Sequence, residues 1–598
     1  MGDKCTAEFF HAMRPNHNAV SVKQLQDENG TISSDPQVMR EIATRYYSNL
    51  LSAISFSDED LISRSCVWNK MSSRITQDMN AGLQNVLTHE ELSEALQALP
   101  KNSCPGMDGL TPSFFIKYWD LFKSDLCTTF QQILREGIMP SHFTEGIIYL
   151  IPKSEGPSLD IKKWRPITLL NTVYKILAKA LSIRLSTIMP IVIHPSQTGF
   201  IRERSILDNV YTFWESAALA AKSNQKLAIV MLDFEKAYDR VDWEFLQGVL
   251  ARFGFSKEWI RGISSLYNSA QSRVLLVGNY GPLFTISRSV RQGCPLAPFL
   301  FLFFAEAMIS FLNAGDIGIR GIRIPFSHIE VRDAEFADDT ALYLKGDLEN
   351  LQKTELAIST FCKASGALVN WNKSFAFWVG DVEPPLWSPH PQFRWIPSGC
   401  PVRYLGCTIG IDLSMENQVA PLLLSLRKKL LLWSSAKLSF AGRIVVANQV
   451  LLASTWYVLS CWIFSKSCIL KIRRLIRNFL WSGKTEGNAR SKVKWDVITL
   501  PRSKGGLGII DPVDQSRALL SKLLVRGFMP GQEIWKVLLL DRCSDCFPRL
   551  GAPWSKDVNW IFRENFRVPL ATRWEDKFIR TLFSAWKQVL LALLCLTS

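Results

Sequence analysis

Phe336-Ala337-Asp338-Asp339 lies between two short segments, 329–332 and 341–344, whose composition is typical of β-strands. A third aspartate, Asp233, follows the uninterrupted apolar run 227–232, which is rich in branched residues. Such a run is typical of a strand buried on both faces. The sequence therefore predicts a buried strand that ends in Asp233 and a hairpin whose acidic tip is Asp338-Asp339.

These three aspartates are candidate catalytic residues and metal ligands. Carboxylates gathered at the ends of buried strands are costly unless something neutralises them, and a divalent cation usually does so. Mg²⁺ prefers one or two carboxylates with water and phosphate oxygens, and two ions about 3.5–4 Å apart activate a hydroxyl and stabilise a leaving pyrophosphate. We expect two Mg²⁺ at Asp233, Asp338 and Asp339, with Mn²⁺ as a substitute. The alternative is an Asp-Asp pair in an ordinary solvated turn.

Further motifs surround the acidic sites in an ordered series. Upstream lie Leu-Ile-Pro-Lys at 150–153, Trp-Arg-Pro-Ile-Thr-Leu-Leu-Asn at 164–171 and Gln-Thr-Gly-Phe-Ile-Arg at 197–202. Arg-Gln-Gly-Cys-Pro-Leu-Ala-Pro at 291–298 lies between the acidic sites, and Gly-Ala-Leu-Val-Asn-Trp-Asn-Lys-Ser at 366–374 and Arg-Tyr-Leu-Gly-Cys at 403–407 lie downstream. A single Asp-Asp pair is weak support for a polymerase, whereas six ordered blocks are specific.

In this order the blocks resemble the reverse transcriptase domain of non-long-terminal-repeat retrotransposons (long interspersed elements), particularly those common in plants. The matching motifs are closely spaced from about residue 140 to residue 410, and the resemblance continues more weakly to about residue 525. It implies an α+β right-hand polymerase with fingers, a palm with an antiparallel sheet, and a helical thumb. It also implies RNA-directed DNA synthesis, in which dNTPs are added to the 3′-hydroxyl of a DNA primer on an RNA template.

The resemblance gives two cations a role in dNTP binding. Lys153 and Arg165 flank a polar, turn-rich connection at 154–158. Two strands joined there would form a fingers hairpin that presents both cations to the triphosphate, because Arg binds phosphate bidentately and Lys acts as a point charge. Two basic surface residues beside a loop are the alternative.

Two further blocks are expected near the nucleotide. Tyr238 stands where related enzymes place an aromatic ring beneath the sugar, so it is a candidate steric gate against a 2′-hydroxyl; simple core packing is the alternative. Gln292-Gly293 resembles the block that contacts the templating pair, and glycine allows close backbone approach. Pro295 and Pro298 are predicted in the first turn of the following helix.

Two downstream blocks also receive roles from the resemblance. Lys373 is a candidate general acid for the leaving pyrophosphate, a contribution of roughly 10²–10⁴-fold in general, with Lys363 or an ordinary surface lysine as alternatives. Tyr404-Leu405-Gly406 resembles a primer-gripping turn, although any junction between strands could have this composition.

Basic charge is concentrated in one segment. The chain of 598 residues has a formal net charge of +15, and residues 421–510 hold 16 Lys and Arg against two acids. Lys and Arg gain affinity for nucleic acid by releasing phosphate counterions. The segment therefore predicts a surface that follows a nucleic-acid backbone, with an ordinary solvated helix surface as the alternative. Within 471–480 the apolar residues share one helical face, which leaves Arg474 and Arg477 to contact phosphate.

Four regions are predicted along the chain. They are a helical N-terminal segment with part of the fingers at 1–136, fingers and palm at 137–410, a basic helical thumb at 411–510, and a truncated C-terminal extension at 511–598. Within the N-terminal segment, helices are expected at 80–100 and 114–134. Nothing resembles the endonuclease domain that precedes many such segments, so the chain is expected to be a piece of an element.

The sequence favours an intracellular protein, in the nucleus or the cytoplasm, without a membrane partner. Residues 1–20 are polar and lack the apolar core of a signal peptide. Residues 299–312 are strongly apolar but too short to span a bilayer, and they predict a buried helix behind the active site. The 13 cysteines are scattered, which suits a reducing compartment, and Cys543 and Cys546 lack nearby partners for a zinc site.

Two other functions remain open from the sequence. An RNA-dependent RNA polymerase is one, although many of those enzymes carry Gly where this chain has Ala337, and the Tyr238 gate favours dNTPs. The other is a decayed element fragment that binds nucleic acid without catalysis, although all three aspartates and Gln292-Gly293 are retained.

Overall fold

A computed structural model describes residues 22–153, 158–325, 327, 329–434, 436, 438–461, 464–484, 489–531, 533–546 and 577–597. The stretch 1–20 and most of the fingers connection lie outside these described residues. Helices and two five-stranded sheets build the described part, so the predicted α+β class is confirmed.

One sheet, called the palm sheet here, carries all three aspartates. Its strands lie in the order Asp333–Phe336, Asp339–Lys345, Leu227–Leu232, Phe375–Val379 and Arg394–Ile396. All neighbours are antiparallel except the last pair, which is parallel. The central strand and the hairpin are confirmed.

The first arm of the hairpin differs from the prediction. It is Asp333–Phe336 rather than 329–332, within which only Glu330–Val331 forms a strand, paired with Ile322–Arg323. The sequence misled because Asp333 and Glu335 look like solvent-facing residues, yet they are 3% and 0% exposed.

The central strand Leu227–Leu232 is buried at all six positions because both faces of the palm sheet are covered. Its odd-numbered residues pack with the helix Ile206–Ser223. Its even-numbered residues pack with the helices Ala297–Leu312 and Leu348–Ser365. The predicted buried helix behind the aspartates is therefore confirmed as Ala297–Leu312.

The second sheet contains the predicted fingers hairpin. Gly146–Pro152 pairs antiparallel with Trp164–Leu170 and parallel with Gln271–Leu276. The short strands Asn279–Tyr280 and Phe284–Thr285 extend the sheet from Gln271–Leu276. The two strands that carry Lys153 and Arg165 at their ends are therefore neighbours.

Further helices of the described part lie between residues 36 and 265. A two-stranded unit, Leu25–Gln26 with Ile32–Ser33, precedes them. The helices are Pro36–Leu51, Asp58–Trp68, Gln77–Gln84, His89–Gln97, Pro112–Lys117, Trp119–Glu136, Ser141–Thr144, Thr172–Val192, Trp243–Phe253 and Lys257–Ser265.

Each of the two helices predicted in the N-terminal segment is interrupted. The first breaks at Asn85, whose ψ of 146° is not helical. It restarts at Thr88, whose side chain accepts a hydrogen bond from the Glu91 N–H and caps the second piece. The other breaks at Tyr118. Helical periodicity continues across both breaks, so the apolar pattern alone did not reveal them.

The basic segment is helical and has a hydrophobic cluster of its own. After the hairpin of Val402–Tyr404 and Cys407–Ile409 come the helices Met415–Ser434, Phe440–Val446, Ala453–Cys461, Lys466–Ser482 and Trp495–Ile498, with a π-helical turn at Ala447–Leu452. The C-terminal helices Pro512–Phe528, Ile534–Cys546 and Lys577–Thr597 follow. Several of their buried side chains cluster with Tyr211 of the palm.

One continuous helical run in the described part, Phe440–Cys461, is long and apolar enough to cross a membrane by length and composition alone. Half of its most apolar window is buried inside the protein, and core helices pass the same test, so the finding is weak support for a membrane span. This run was not among the apolar stretches predicted from the sequence.

Candidate active site

The palm sheet brings the three aspartates to one edge. Ala337 and Asp338 form the tip between the paired residues Phe336 and Asp339. Thr340 pairs with Leu232, so the next residues along the two strands, Asp339 and Asp233, are also neighbours. A tight turn is possible because Ala337 adopts a left-handed conformation, with φ 57°.

These carboxylates repel one another. Burial, and then the neighbouring Asp233 carboxylate, raises the pKa of Asp338. Burial and the charges of Asp338 and Asp233 raise the pKa of Asp339 to about 6. The Lys373 ammonium lies 3.6 Å from Asp233 Oδ2 and partly offsets this charge.

The donor set suits a hard divalent cation. Among the described residues, no three His, Cys, Asp or Glu side chains are arranged to hold a metal ion by themselves. Mg²⁺ does not need such a closed shell, because it keeps waters and takes phosphate oxygens as ligands. Crowded carboxylates with raised pKa values therefore fit an ion that is completed by water and substrate.

The block 366–374 is held against the strand end that carries Asp233. Asn370 N–H donates to the Asp233 carbonyl at 2.7 Å, and Asp233 N–H donates to Ser374 Oγ at 3.1 Å. This places Lys373 beside the carboxylates. The alternative candidate, Lys363, instead lies 3.4 Å from Glu59.

The two fingers cations also approach the carboxylates. Arg165 pairs with Ile151 across the fingers hairpin, and its charge opposes the rise in the pKa of Asp338. Burial, together with the charges of Lys373 and Arg165, lowers the pKa of Lys153. The structure therefore brings Lys153, Arg165 and Lys373 together around the acidic tip.

Gln292 and Gly293 join the palm to the fingers. Gln292 Nε2 donates to both carboxylate oxygens of Asp239 at 3.2 and 3.3 Å, and its carbonyl accepts from Thr168 N–H at 2.7 Å. Burial raises the pKa of Asp239 to about 6. Gly293 has φ 124°, and a Cβ there would lie 2.3 Å from the Thr168 carbonyl oxygen, so only glycine fits.

The helix that follows begins later than predicted. Ala297 is its first residue, and Pro298 lies in its first turn as expected. Pro295 instead lies before the helix. It follows a turn that is closed by a hydrogen bond from Cys294 N–H to the Arg291 carbonyl.

Tyr238 lies beside the site but also packs in the core. Its ring stacks on Phe301, with centroids 4.4 Å apart and planes at 12°. Burial, and then the charge of Asp338, raises the pKa of its hydroxyl. The geometry is compatible with a steric gate and with core packing, so the role of Tyr238 stays a prediction.

Tyr404, Leu405 and Gly406 form a hairpin turn next to the palm sheet. Leu405 and Gly406 both have positive φ, 46° and 81°, and the Leu405 carbonyl accepts a hydrogen bond from the Tyr457 hydroxyl. Burial, and then the charge of Asp339, raises the pKa of Tyr404. The turn therefore lies near the aspartates, between the palm and the basic helices.

The basic helix Lys466–Ser482 has the predicted apolar face, with Ile472, Ile476 and Phe479 buried. Arg474 is exposed as expected, whereas Arg477 is only partly exposed and its Nε is buried. Arg473 forms an ion pair with Asp511. Arg474 therefore remains a good candidate for phosphate contact, and Arg477 is a poorer one than its spacing indicated.

Lys236 was not expected at the site. It has φ 51°, and its ammonium donates to the Trp164 carbonyl at 3.2 Å, immediately before Arg165. Burial, and then the charge of Lys153, lowers its pKa to about 8. A lone lysine after a strand is usually a surface residue, so no sequence pattern indicated this contact.

Comparison with known proteins agrees with this geometry. Residues 151–409 match the family described as reverse transcriptase (RNA-dependent DNA polymerase). The chain is 31% identical over 514 residues to the uncharacterized 149 kDa protein of transposon TX1 from Xenopus laevis, across 84% of this chain and 38% of that protein. It is 25% identical over 411 residues to the RNA-directed DNA polymerase from mobile element jockey of Drosophila melanogaster, across 65% of this chain and 43% of that protein.

The chain thus spans about two fifths of the length of these relatives. A solved structure of apo telomerase from Candida tropicalis is similar over 50% of this chain and 59% of that chain, with 17% identity. The TM-score of that match is 0.33, so the family assignment rests on the sequence matches instead.

The palm, its acidic hairpin and the family match define a reverse transcriptase domain. The relatives are named for the transposon TX1 and the mobile element jockey, so the resemblance to non-long-terminal-repeat retrotransposons that the sequence blocks indicated is confirmed. Enzymes of this family generally depend on a divalent metal.

The electrostatics of the aspartates predict a pH-dependent stability. Without divalent cations, Asp339→Asn should raise the urea midpoint above pH 6, and the gain should shrink towards pH 4. The folded pKa of about 6 exceeds the unfolded value of about 3.9, so the stability that the carboxyl contributes is lost as pH rises through the folded pKa. Urea titrations in EDTA at several pH values would measure this.

The control is Asp125→Asn at an exposed helical position, which should leave the pH profile unchanged. A gain for Asp339→Asn that is equal at pH 4 and pH 8 would show that ionisation of the Asp339 carboxyl is not the cause.

Proposed function

We propose that this chain is an RNA-directed DNA polymerase that adds dNTPs to the 3′-hydroxyl of a DNA primer on an RNA template. The observation that carries the proposal is the meeting of Asp233, Asp338 and Asp339 at one sheet edge, with the cations of three other blocks around them. Opposed groups of carboxylates and cations suit a triphosphate, because the carboxylates hold metal and the cations hold phosphate.

Asp233, Asp338 and Asp339 would hold two Mg²⁺, or Mn²⁺ in its place. When bound, the ions would favour the ionised 3′-hydroxyl and stabilise the charge of the leaving pyrophosphate. Lys153 and Arg165 would bind and orient the triphosphate. Lys373 would hold a proton on Nζ for the pyrophosphate as the bond between the α- and β-phosphates breaks.

The remaining blocks would position the nucleic acid. Gln292 and Gly293 would lie against the templating pair, because Asp239 fixes the Gln292 side chain and Gly293 brings the backbone close to the fingers. The turn at Tyr404, Leu405 and Gly406 would hold the primer. Most of the acceleration over the uncatalysed reaction would then come from positioning of the substrates and neutralisation of charge.

Primer extension by the purified chain tests the proposal directly. With poly-rA, oligo-dT, Mg²⁺ and dTTP, the wild-type chain should extend the primer, and Asp338→Asn should abolish extension while binding the duplex normally. Asn keeps the shape but removes the charge that metal ligation requires. Asp120→Asn is the control, since Asp120 is exposed and pairs only locally with Lys123.

Three results would contradict the assignment. Retention of more than a few per cent of activity by Asp338→Asn would refute the two-metal role. Use of rNTPs in preference to dNTPs would indicate an RNA polymerase. Duplex binding without any extension would indicate a decayed fragment.

Sugar choice tests Tyr238. Tyr238→Ala should raise the use of rNTPs relative to dNTPs, because the ring that would clash with the 2′-hydroxyl is removed. Tyr238→Phe is the matched control and should keep the wild-type preference, since it keeps the ring stacked on Phe301. Single-nucleotide addition with both substrates measures the ratio; an unchanged ratio in the Ala variant would leave Tyr238 as a core residue.

Salt dependence tests the basic thumb. Lys471→Glu combined with Arg474→Glu should weaken primer–template binding, and for every phosphate that is no longer bound the log–log salt slope should fall by roughly one. Both side chains are exposed on the helix Lys466–Ser482. Lys353→Glu on the palm helix Leu348–Ser365 is the control.

Thermal stability should change little in the double variant, because exposed charges contribute little to folding. If affinity and slope both stayed at wild-type values, this helix would be an ordinary solvated surface. The nucleic-acid track would then be sought at Arg427, Lys428 and Lys429.

A further inference from the structure

We propose that Gln197 is a positioning residue for the catalytic hairpin: its buried side-chain amide holds the turn that orients Asp338. The role in turnover rests on the proposed polymerase function, whereas the contact itself does not. Gln197 begins the block 197–202, which lies just before the helix Ile206–Ser223. It is only 1% exposed, so it does not serve as a surface contact for nucleic acid.

The amide of Gln197 binds both backbone polar groups of Ala337, the residue immediately before Asp338. Oε1 accepts from Ala337 N–H at 2.9 Å, and Nε2 lies 3.4 Å from the Ala337 carbonyl as a donor. Oε1 also accepts from Gly199 N–H at 2.9 Å, and Nε2 donates to Glu335 Oε2 at 3.0 Å. Two N–H donors at one end and acceptors at the other fix the orientation of the amide.

The backbone of the block is docked on the same hairpin. Thr198 N–H donates to the Glu335 carbonyl at 2.8 Å, and Glu335 N–H donates to the Ser196 carbonyl at 2.9 Å. This closes the outer edge of the palm sheet at the catalytic turn. Gly199 permits the contact, because a Cβ there would lie 2.7 Å from Ala337 N.

The turn needs such support. Ala337 has φ 57°, a left-handed conformation that residues with a Cβ rarely adopt. A strained residue persists where its surroundings determine it fully, and such residues cluster at functional sites. If the amide were removed, the turn could relax, and the Asp338 carboxylate would move with it.

Gln197→Met tests the role, because Met has similar volume and cannot form the hydrogen bonds. In hydrogen exchange, the Ala337 amide of the variant should exchange at least tenfold faster. In primer extension, kcat should fall by about 10²-fold, the order of loss expected for a misplacement of 1 Å. The KM for dTTP and the Kd for primer–template should stay within about threefold of wild type, because the contacts with substrate remain. A change of about threefold in affinity is smaller than the loss of one typical hydrogen bond would cause.

Gln418→Met is the matched control. Gln418 is 4% exposed, and within the described part of the chain neither polar atom of its amide has a hydrogen-bond partner. Removal of that amide should leave kcat and exchange at the hairpin unchanged.

Gly199→Ala gives a second, independent test of the contact between block 197–202 and the Ala337 turn. It still tests the positioning role if Gln197→Met does not fold. Its Cβ should push against Ala337 N and reproduce the fall in kcat and the faster exchange. Gly315→Ala is the control, because a Cβ at Gly315 meets nothing within 4 Å.

The outcomes separate the two proposals. Unchanged exchange at Ala337, or an unchanged kcat in folded Gln197→Met and Gly199→Ala proteins, would overturn the positioning role. If primer–template affinity fell in proportion to kcat, the positioning role would also be overturned, because the variant would then have lost the general integrity of its fold. A wild-type chain without primer extension would refute the polymerase, while the exchange data would still test the contact.

Discussion

Mutual repulsion among Asp233, Asp338 and Asp339 is the constraint on which the rest of the site depends. Adjacent strands of one sheet force the three carboxylates to one edge, where burial and then the charges of the neighbouring carboxylates raise the pKa values of Asp338 and Asp339. The fingers hairpin brings Lys153 and Arg165 towards that edge, and the block 366–374 brings Lys373. The palm itself supplies Lys373 beside Asp233, whereas the other two cations reach the carboxylates only when the fingers hairpin is assembled on the palm.

Buried ion pairs hold this assembly to the N-terminal helices. Arg64, 1% exposed, pairs with Asp242 at 3.0 Å, and Arg74 pairs with the buried Glu306 at 2.6 Å. Removing one partner of such a pair leaves an uncompensated buried charge, which is strongly destabilising. The hydrophobic cluster of the palm also contains residues of the N-terminal helices. A core that crosses residue 136 indicates that the N-terminal segment folds together with the palm, whereas the division of the chain into four regions stays a prediction.

The sequence predicted best what depends on local pattern. The apolar run before Asp233, the acidic tip and the helix Ala297–Leu312 all have local compositions and lengths that indicate their structure. Contacts between distant segments were not predictable in this way: Gln197 looks like any polar residue in a loop, and Lys236 like any surface lysine. Asp333 and Glu335 misled the prediction of the first hairpin strand, because polar residues are seldom buried within a strand as these two are. Spacing on the thumb helix identified its apolar face but could not reveal that the Nε of Arg477 is buried.

Binding of divalent cations would explain why these carboxylates are crowded together at the end of a buried sheet. Electron paramagnetic resonance of Mn²⁺, titrated into the chain with primer–template and a non-hydrolysable dTTP analogue, measures that binding. We expect two bound Mn²⁺ per chain, with at least one of them absent in Asp338→Asn. Equal Mn²⁺ binding by the wild-type chain and Asp338→Asn would contradict this explanation.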